Sequence, residues 1–106
     1  MEMISNSATD LDRDDLHHAG EILRALAAPV RIAIVLQLRE CQHCVHELVE
    51  ALHLPQPLVS QHLRVLKAAG VVAGERSGRE VLYRLVDAHL AEIVVAAVSH
   101  AEESRR

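Results

Sequence analysis

Apolar residues recur at helical spacing in the first third of the chain and predict two helices. The first helix has one apolar face, formed by Leu16, Ile22, Leu23 and Leu26. Pro29 suits the first turn of a second helix. The dense apolar positions of this second helix predict a largely buried element: Ile32, Ile34, Val35, Leu36 and Leu38. Residues 41–43 are then expected to form a connection.

The next pattern predicts two shorter helices, Val45–Leu52 and about Gln56–Ala69, separated by residues 53–55. The inward positions of the second one are apolar: Leu58, Val59, Leu63, Leu66 and Ala69. Its outward positions are polar: Gln56, Ser60, Gln61, Arg64 and Lys67. This division over two short helices is a helix-turn-helix pattern, and Gly70 is expected to end it.

A β-hairpin and a last helix complete the predicted elements. Strands are predicted for Val71–Glu75 and Glu80–Val86, joined by a turn over residues 76–79 with basic residues at its tip. Asp87 is a good N-cap for a helix that reaches about Glu103 and is apolar over a wide arc. This wide apolar surface must be covered by another protein surface. The predicted fold is mainly α with a small β-hairpin, a winged helix-turn-helix.

Composition and chain length limit the domain organisation. The 106 residues allow one domain, and Tyr83 is the only aromatic residue, so Leu, Val, Ile and Ala must build the core. Residues 1–14 are acidic and lack apolar periodicity, which predicts a flexible arm before a domain over residues 15–106. No run of residues suits a signal peptide or a membrane span, so we expect a cytoplasmic protein without a membrane partner.

The formal net charge is −4, but the distribution of charge favours contact with nucleic acid. Residues 1–22 contain six acidic residues and one arginine, whereas residues 55–86 contain five basic and two acidic residues. The candidates for contact with base edges or the groove are Gln56, Ser60, Gln61 and Arg64, with His62 as a weaker one. The candidates for contact with phosphate or the minor groove are Lys67, Arg76 and Arg79. In the alternative, several of these side chains are simply solvated.

The segment PLVSQHLRVLKAAGVV over residues 57–72 resembles the recognition helix and the start of the wing in the ArsR/SmtB family of metal-sensing bacterial repressors. The likeness runs from about residue 19 to residue 103 and includes LAAPVR at 26–31 and GREVLY at 78–83. It implies a homodimer with the first and last helices at the interface. It also implies that the fourth helix enters the major groove of an inverted repeat in double-stranded operator DNA, and that inducer binding weakens this complex.

The sharpest chemical pattern is Asp87-x-His89 followed by His100-x-x-Glu103. The two histidines are eleven residues apart, which places them about 16 Å apart along one helix, too far for one ion. Two antiparallel copies of the helix would instead form two identical four-ligand sites. Two imidazoles and two carboxylates suit tetrahedral Zn²⁺, with Co²⁺ as a plausible substitute. The spacing also matches the C-terminal-helix zinc site of the family's zinc sensors. In the alternative, Asp87 only caps the helix and the other three are solvated.

Cys41 and Cys44 form a weaker pattern. Some family members bind metal through a cysteine at the position of Cys44 and an acidic residue three positions later, which here is Glu47. The resemblance therefore implies a second metal site at Cys44 and Glu47, completed by His17 or His18 from the other subunit's arm. Buried or incidental thiols are the alternative.

Three functions follow from these patterns. The favoured one is a zinc-responsive repressor that controls metal-homeostasis genes and releases its operator on zinc binding. The second is a repressor of the same fold with a thiol-based, redox or other metal inducer that acts at Cys41 and Cys44. The third and most remote is a zinc hydrolase, which fits poorly because four protein ligands would leave no open position for water. We therefore expect a protein that is not an enzyme and has no small organic substrate.

Overall fold

A computed structural model of the chain describes residues 12–105. The elements are α1 (Arg13–Ala25), α2 (Pro29–Glu40), β1 (His43–Cys44), α3 (Val45–Leu52), α4 (Gln56–Ala68), β2 (Val72–Ser77), β3 (Glu80–Leu85) and α5 (Ala88–Ser104). This order is the predicted one with the short strand β1 added. Within the described part of the chain, no helix is long and apolar enough to cross a membrane.

Helix α1 begins earlier than the sequence predicts because Asp12 caps it. The Asp12 carboxylate accepts a hydrogen bond from the Asp14 backbone N–H at 2.8 Å. Arg13 and Asp14, which the sequence analysis places in the acidic arm, therefore belong to the helix. The rest of that predicted arm, residues 1–11, lies outside the described residues.

Helix α4 ends in a Schellman motif at the predicted stop, Gly70. The backbone N–H of Val71 donates to the carbonyl of Leu66 at 2.9 Å, and the N–H of Gly70 donates to the carbonyl of Lys67 at 3.0 Å. Gly70 has φ +78°, a left-handed conformation that glycine adopts without steric penalty. The chain can therefore turn directly from the helix into the sheet.

The wing belongs to a three-stranded antiparallel sheet with the order β1-β3-β2. Strands β2 and β3 stay paired up to Ser77 and Glu80, so only Gly78 and Arg79 form the turn. Gly78 has φ +65° at the first of these two positions, as a type II′ hairpin turn requires. The predicted turn over residues 76–79 is wrong in its first half, because Arg76 and Ser77 continue the strand.

Strand β1 attaches the helix-turn-helix unit to the wing. His43 pairs with Tyr83 and Cys44 pairs with Leu82, immediately before α3 begins. The sequence analysis predicts only a connection here, because two residues are too few to show the alternation of a strand. The pairing fixes the start of α3 against the edge of β3.

One hydrophobic core joins the helices to the sheet, and α2 packs against α3, α4, α5 and β3. The buried residues of this core are Leu26, Ile34, Val35, Leu38, Leu48, Val59, Leu63, Leu66, Val71, Val72, Leu90 and Val94. The inward face predicted for α4 is confirmed at Val59, Leu63 and Leu66, while Leu58 and Ala69 are half-buried. The core thereby fixes which face of α4 remains available outside.

Candidate nucleic-acid interface and metal centre

Helix α4 presents a polar outer face beside α3. Among the predicted DNA-contacting residues of this helix, Gln56, Gln61, Arg64 and Lys67 are exposed, whereas Ser60 is half-buried. The turn between the helices contains His53 with φ 57°, a left-handed residue that caps α3. Most of the predicted DNA-contacting side chains of α4 are therefore accessible on the surface of this one helix.

The wing carries the remaining predicted DNA contacts. Arg76 and Arg79 are exposed at and beside its turn. Close packing of the two strands depends on Gly74, because a Cβ atom there would lie 2.9 Å from Cγ1 of Val81 and 3.1 Å from Cε1 of Tyr83. The geometry of the hairpin that presents the two arginines thus depends on a missing side chain.

The predicted DNA-contacting basic side chains of α4 and the wing are not neutralised by nearby carboxylates within the described residues. Every contact between a carboxylate and a basic side chain found between residues 12 and 105 involves a histidine. Arg64, Lys67, Arg76 and Arg79 therefore have no carboxylate partner within the described residues. Unpaired cations on one recognition helix and its wing suit contact with a phosphate backbone.

His62 differs from the other candidates on α4 because it contacts another helix. Its Nδ1 atom lies 3.2 Å from Nη1 of Arg31, and the ring is half-buried. Burial and the nearby Arg31 charge lower the pKa of His62. Its predicted DNA contact stays a prediction. Arg31 is a residue that the sequence analysis missed, and no spacing pattern marks it.

The four predicted metal ligands lie at the two ends of α5, and all are exposed. At the first end the Asp87 carboxylate caps the helix by accepting from the His89 backbone N–H at 2.9 Å, and it lies 2.6 Å from Nδ1 of the same histidine. At the other end lie His100 and Glu103. The structure thus brings the first two ligands together and leaves the last two about 16 Å away along the helix.

This arrangement fits a site shared between two chains. In residues 12–105 of one chain, no group of three or more His, Cys, Asp or Glu side chains is placed to hold a metal ion. Asp87 and His89 lie in contact at one end of α5, so each chain supplies two adjacent candidate ligands at that end.

The residues of the predicted second metal site have other partners. Cys44 is buried at the N-cap of α3, and its backbone N–H donates to the Glu47 carboxylate at 2.9 Å. This hydrogen bond is the main cause that lowers the pKa of Glu47. His17 and His18 are exposed on α1, 3.6 and 3.9 Å from carboxylate oxygens of Glu21. The second site stays a prediction.

The two cysteines are free thiols in different environments. Cys44 is buried, whereas Cys41 is exposed with its Sγ atom 3.7 Å from Nε2 of His43. His43 in turn has its Nδ1 atom 3.5 Å from the Glu47 carboxylate. The accessible thiol is therefore Cys41, and it has an imidazole beside it.

An apolar groove of about 410 Å³ runs between α1 and α5. It is lined by Ala19, Ile22, Leu23, Gly70, Val86, Asp87, His89, Leu90 and Ile93. Leu23 is 54% exposed and Ile93 is 41% exposed, although both are large aliphatic residues. This groove lies on the two helices that the sequence analysis assigns to a dimer interface, and two predicted metal ligands border it.

Comparison with known proteins identifies the family of the chain. The model of the arsR family of bacterial regulatory proteins matches residues 28–73, which run from α2 into β2. The chain is 79% identical over 91 residues to the HTH-type transcriptional repressor SmtB of Mycobacterium tuberculosis, over 86% of this chain and 67% of that protein. It is also 40% identical over 92 residues to the HTH-type transcriptional regulator NmtR of the same organism, over 87% and 77% of the two chains.

A solved structure confirms the predicted winged helix-turn-helix. It is the homodimeric winged helix-turn-helix DNA-binding domain of a possible ArsR-family transcriptional regulator from Mycobacterium bovis, with a TM-score of 0.77, 25% identity and 89% coverage of both chains. Because the matched proteins are transcriptional regulators, the prediction that the chain is not an enzyme is confirmed, and the hydrolase alternative is wrong. The chain belongs to the ArsR family of bacterial regulatory proteins.

Proposed function

We propose that this chain is a zinc-responsive transcriptional repressor whose metal-free homodimer binds an inverted repeat in operator DNA and releases it when zinc binds. The observation that carries the proposal is the placement of Asp87 and His89. They form a carboxylate–imidazole pair at the start of α5 and border the apolar groove that also contains Gly70, the residue that ends the recognition helix α4.

The exposed apolar surface of α1, of α5 and of the connection before α5 supports the homodimer. Leu16, Leu23, Val86 and Ile93 are each between 41% and 54% exposed. Full burial of such a side chain is worth roughly 1.5–3 kcal/mol, so covering these partly exposed residues with a second copy would stabilise the protein substantially. The solved domain from Mycobacterium bovis is itself homodimeric.

The proposed ligands of each zinc ion are Asp87 and His89 of one protomer with His100 and Glu103 of the partner subunit. Bound there, the ion would supply a rigid link between the two copies of α5. The donor set of two imidazoles and two carboxylates suits Zn²⁺ and Co²⁺ better than Cu⁺, which prefers sulfur. Asp87 and His89 lie side by side within one chain, so two of the four ligands are adjacent before the ion binds, and their mutual contact would open for both to bind the same ion.

The neighbourhood of Gly70 supports communication between this site and DNA. Gly70 follows α4 directly and lines the same groove as Asp87 and His89. A different packing of the two α5 helices would therefore change the relative placement of the two recognition helices, which must match successive major grooves. Coupling of this kind is typically about 1–3 kcal/mol, so zinc should weaken operator binding by roughly 5- to 150-fold.

The test uses a DNA duplex that the metal-free protein selects from a random pool. Its affinity is measured without metal and with stoichiometric zinc, cobalt and nickel. His100→Gln should keep the metal-free affinity and lose the zinc response, while the matched control Cys44→Ser should keep both. A zinc response that is lost in Cys44→Ser and kept in His100→Gln would place the sensing site at the cysteine cluster. A folded monomer at micromolar concentration in sedimentation would refute the intersubunit site.

A thiol-responsive repressor is the second candidate, favoured by the exposed Cys41 thiol beside His43. Operator release by peroxide in a metal-free preparation, lost in Cys41→Ser, would support this function over the zinc-responsive one.

A further inference from the structure

One guanidinium group connects three helices. Arg31 lies in the first turn of α2, and its Nε donates to the carbonyl of Ala25, the last residue of α1, at 2.6 Å. Its Nη1 lies 3.2 Å from Nδ1 of His62, in the middle of α4. The contact therefore joins a helix of the proposed dimer interface to the helix that carries the predicted base contacts.

The chemistry of the two side chains fixes their roles in this contact. A guanidinium has only donors, so Nδ1 of His62 must be the acceptor and the ring proton must lie on Nε2. The carbonyl of Ala25 is one of the last carbonyls of α1, which lack partners within the helix. Arg31 satisfies this buried carbonyl and the half-buried imidazole at once.

Apolar packing alone leaves a helix some freedom to slide or rotate, whereas hydrogen bonds are directional. We propose that Arg31 and His62 are positioning residues for sequence-specific DNA binding, which set the orientation of α4 relative to α1. This inference rests on the proposed DNA-binding function. Its effect is on the match between two recognition helices and two half-sites, so it acts on the selectivity for the operator rather than on attraction to phosphate.

The contact is sensitive to protonation. Burial and the charge of Arg31 hold the pKa of His62 below its ordinary value of 6.5. On the α1 side, His18, Glu21 and Arg24 line the cleft that Arg31 also lines. In the part of the chain that the structure describes, neither Arg31 nor His62 forms an ion pair, so a protonated ring would lose its acceptor and face a second cation.

The sign of the pH effect follows from the lowered pKa. A group with a depressed pKa in the folded protein contributes its full stability above its ordinary pKa, and loses it as the pH falls through the lowered value. Operator affinity of the metal-free dimer should therefore be steady at pH 7 to 8 and decline only as the pH falls below the ordinary histidine pKa of 6.5.

Two substitutions of His62 separate the effect of side-chain shape from the effect of the hydrogen-bond acceptor. In His62→Asn the side-chain oxygen is bonded to Cγ, as Nδ1 is in histidine, so the acceptor is kept and cannot titrate. In His62→Leu a methyl group takes that position and the acceptor is lost. Arg31→Met removes the donor, and Arg24→Met is the matched control, because Arg24 lines the same cleft and makes no side-chain hydrogen bond among the described residues.

The experiment measures binding of the full-length variants to the selected duplex and to random duplex DNA, without metal, from pH 5.5 to 8. We expect His62→Leu and Arg31→Met to bind the selected duplex about tenfold more weakly, with unchanged binding to random DNA. The double variant should be no worse than Arg31→Met, because His62 has already lost its donor in that variant. His62→Asn should bind the selected duplex more tightly than His62→Leu at pH 7.5 and lose the decline at acid pH, and Arg24→Met should match the wild type throughout.

Three results would overturn the inference. The first is wild-type selectivity in His62→Leu, and the second is an equal loss of selected and random DNA. The third uses the wild-type protein alone: an imidazole ¹⁵N spectrum with the His62 proton on Nδ1 would exclude the hydrogen bond. A wild type that selects no DNA sequence would refute the proposed function and this inference together, whereas a selective wild type beside an unaffected His62→Leu would refute this inference alone.

Discussion

Asp87 has two roles that substitution can separate: it caps α5, and it is a proposed metal ligand. Its carboxylate accepts from the His89 backbone N–H at 2.9 Å. Asp87→Ala removes both the cap and the ligand. Asp87→Ser keeps an oxygen that can accept the same backbone hydrogen bond but leaves no carboxylate for an ion. The pair of variants therefore measures the two roles independently.

The magnitude of the capping role follows from its exposure. Loss of an Asp N-cap costs typically about 1 kcal/mol, and the Asp87 side chain is 49% exposed, which favours the lower part of the range. For a domain of this size, about 1 kcal/mol changes the melting temperature by roughly 4–8 °C. Metal-free Asp87→Ala should therefore melt about 4 °C below the wild type, and Asp87→Ser within about 2 °C of it.

The assay combines thermal unfolding of metal-free protein with zinc titration of the operator complex. Protein concentration must be equal in all samples, since the stability of a dimer depends on it. Both variants should bind the operator without metal as the wild type does, and both should lose the zinc response. A normal zinc response in Asp87→Ser would show that Asp87 is only a cap, and the proposed ligand set would be wrong at that position.

Three further predictions concern α4, the wing and the turn between α3 and α4. Arg64→Ala should relax sequence preference, whereas Lys67→Ala should lower the slope of log affinity against log salt by about one unit; equal loss of operator and random DNA in Arg64→Ala would contradict this assignment. Gly74→Ala should lower the free energy of unfolding in urea by about 1 kcal/mol or more, because the new Cβ would lie 2.9 Å from Cγ1 of Val81; unchanged stability would mean that the strands adjust. His53→Gly should raise the free energy of unfolding by roughly 0.5 kcal/mol, since relief of the left-handed backbone strain at His53 exceeds the added entropy of the unfolded chain. A lower free energy of unfolding in this variant would reveal a stabilising contact of the His53 side chain.

Local signals allowed the helix-turn-helix unit to be predicted almost to the residue. Helix α3 has the predicted limits Val45 and Leu52, and α4 begins at Gln56 as predicted and ends within one residue of the predicted end. Caps and stops depend on a few neighbouring residues, so the sequence contains them. The start of α1 was less predictable because several acidic residues stand together there, and any of them can cap a helix.

Contacts between distant segments were not predictable from pattern. The hairpin turn was placed too early because the Ser-Gly pair fits more than one strand register, and pairing with β3 decides between them. The contact of Arg31 with His62 joins residues 31 positions apart and depends on how α2 packs on α4. The proposed metal site was predictable as a spacing along α5, but its completion depends on a second chain.

The recognition helix approaches elements of the proposed dimer interface at two points, by a side-chain hydrogen bond at its middle and by proximity at its end. Its middle is bonded through His62 to Arg31, and thereby to the end of α1. Its end, at Gly70, lines the groove between α1 and α5. In the proposed mechanism, a change in the packing of α5 reaches α4 through the segments next to Gly70 and Asp87, where the backbone N–H of Val86 donates to the carbonyl of Val71 at 3.0 Å. The proposed metal site on α5 would act on DNA binding along this route, although none of its proposed ligands is a predicted DNA contact.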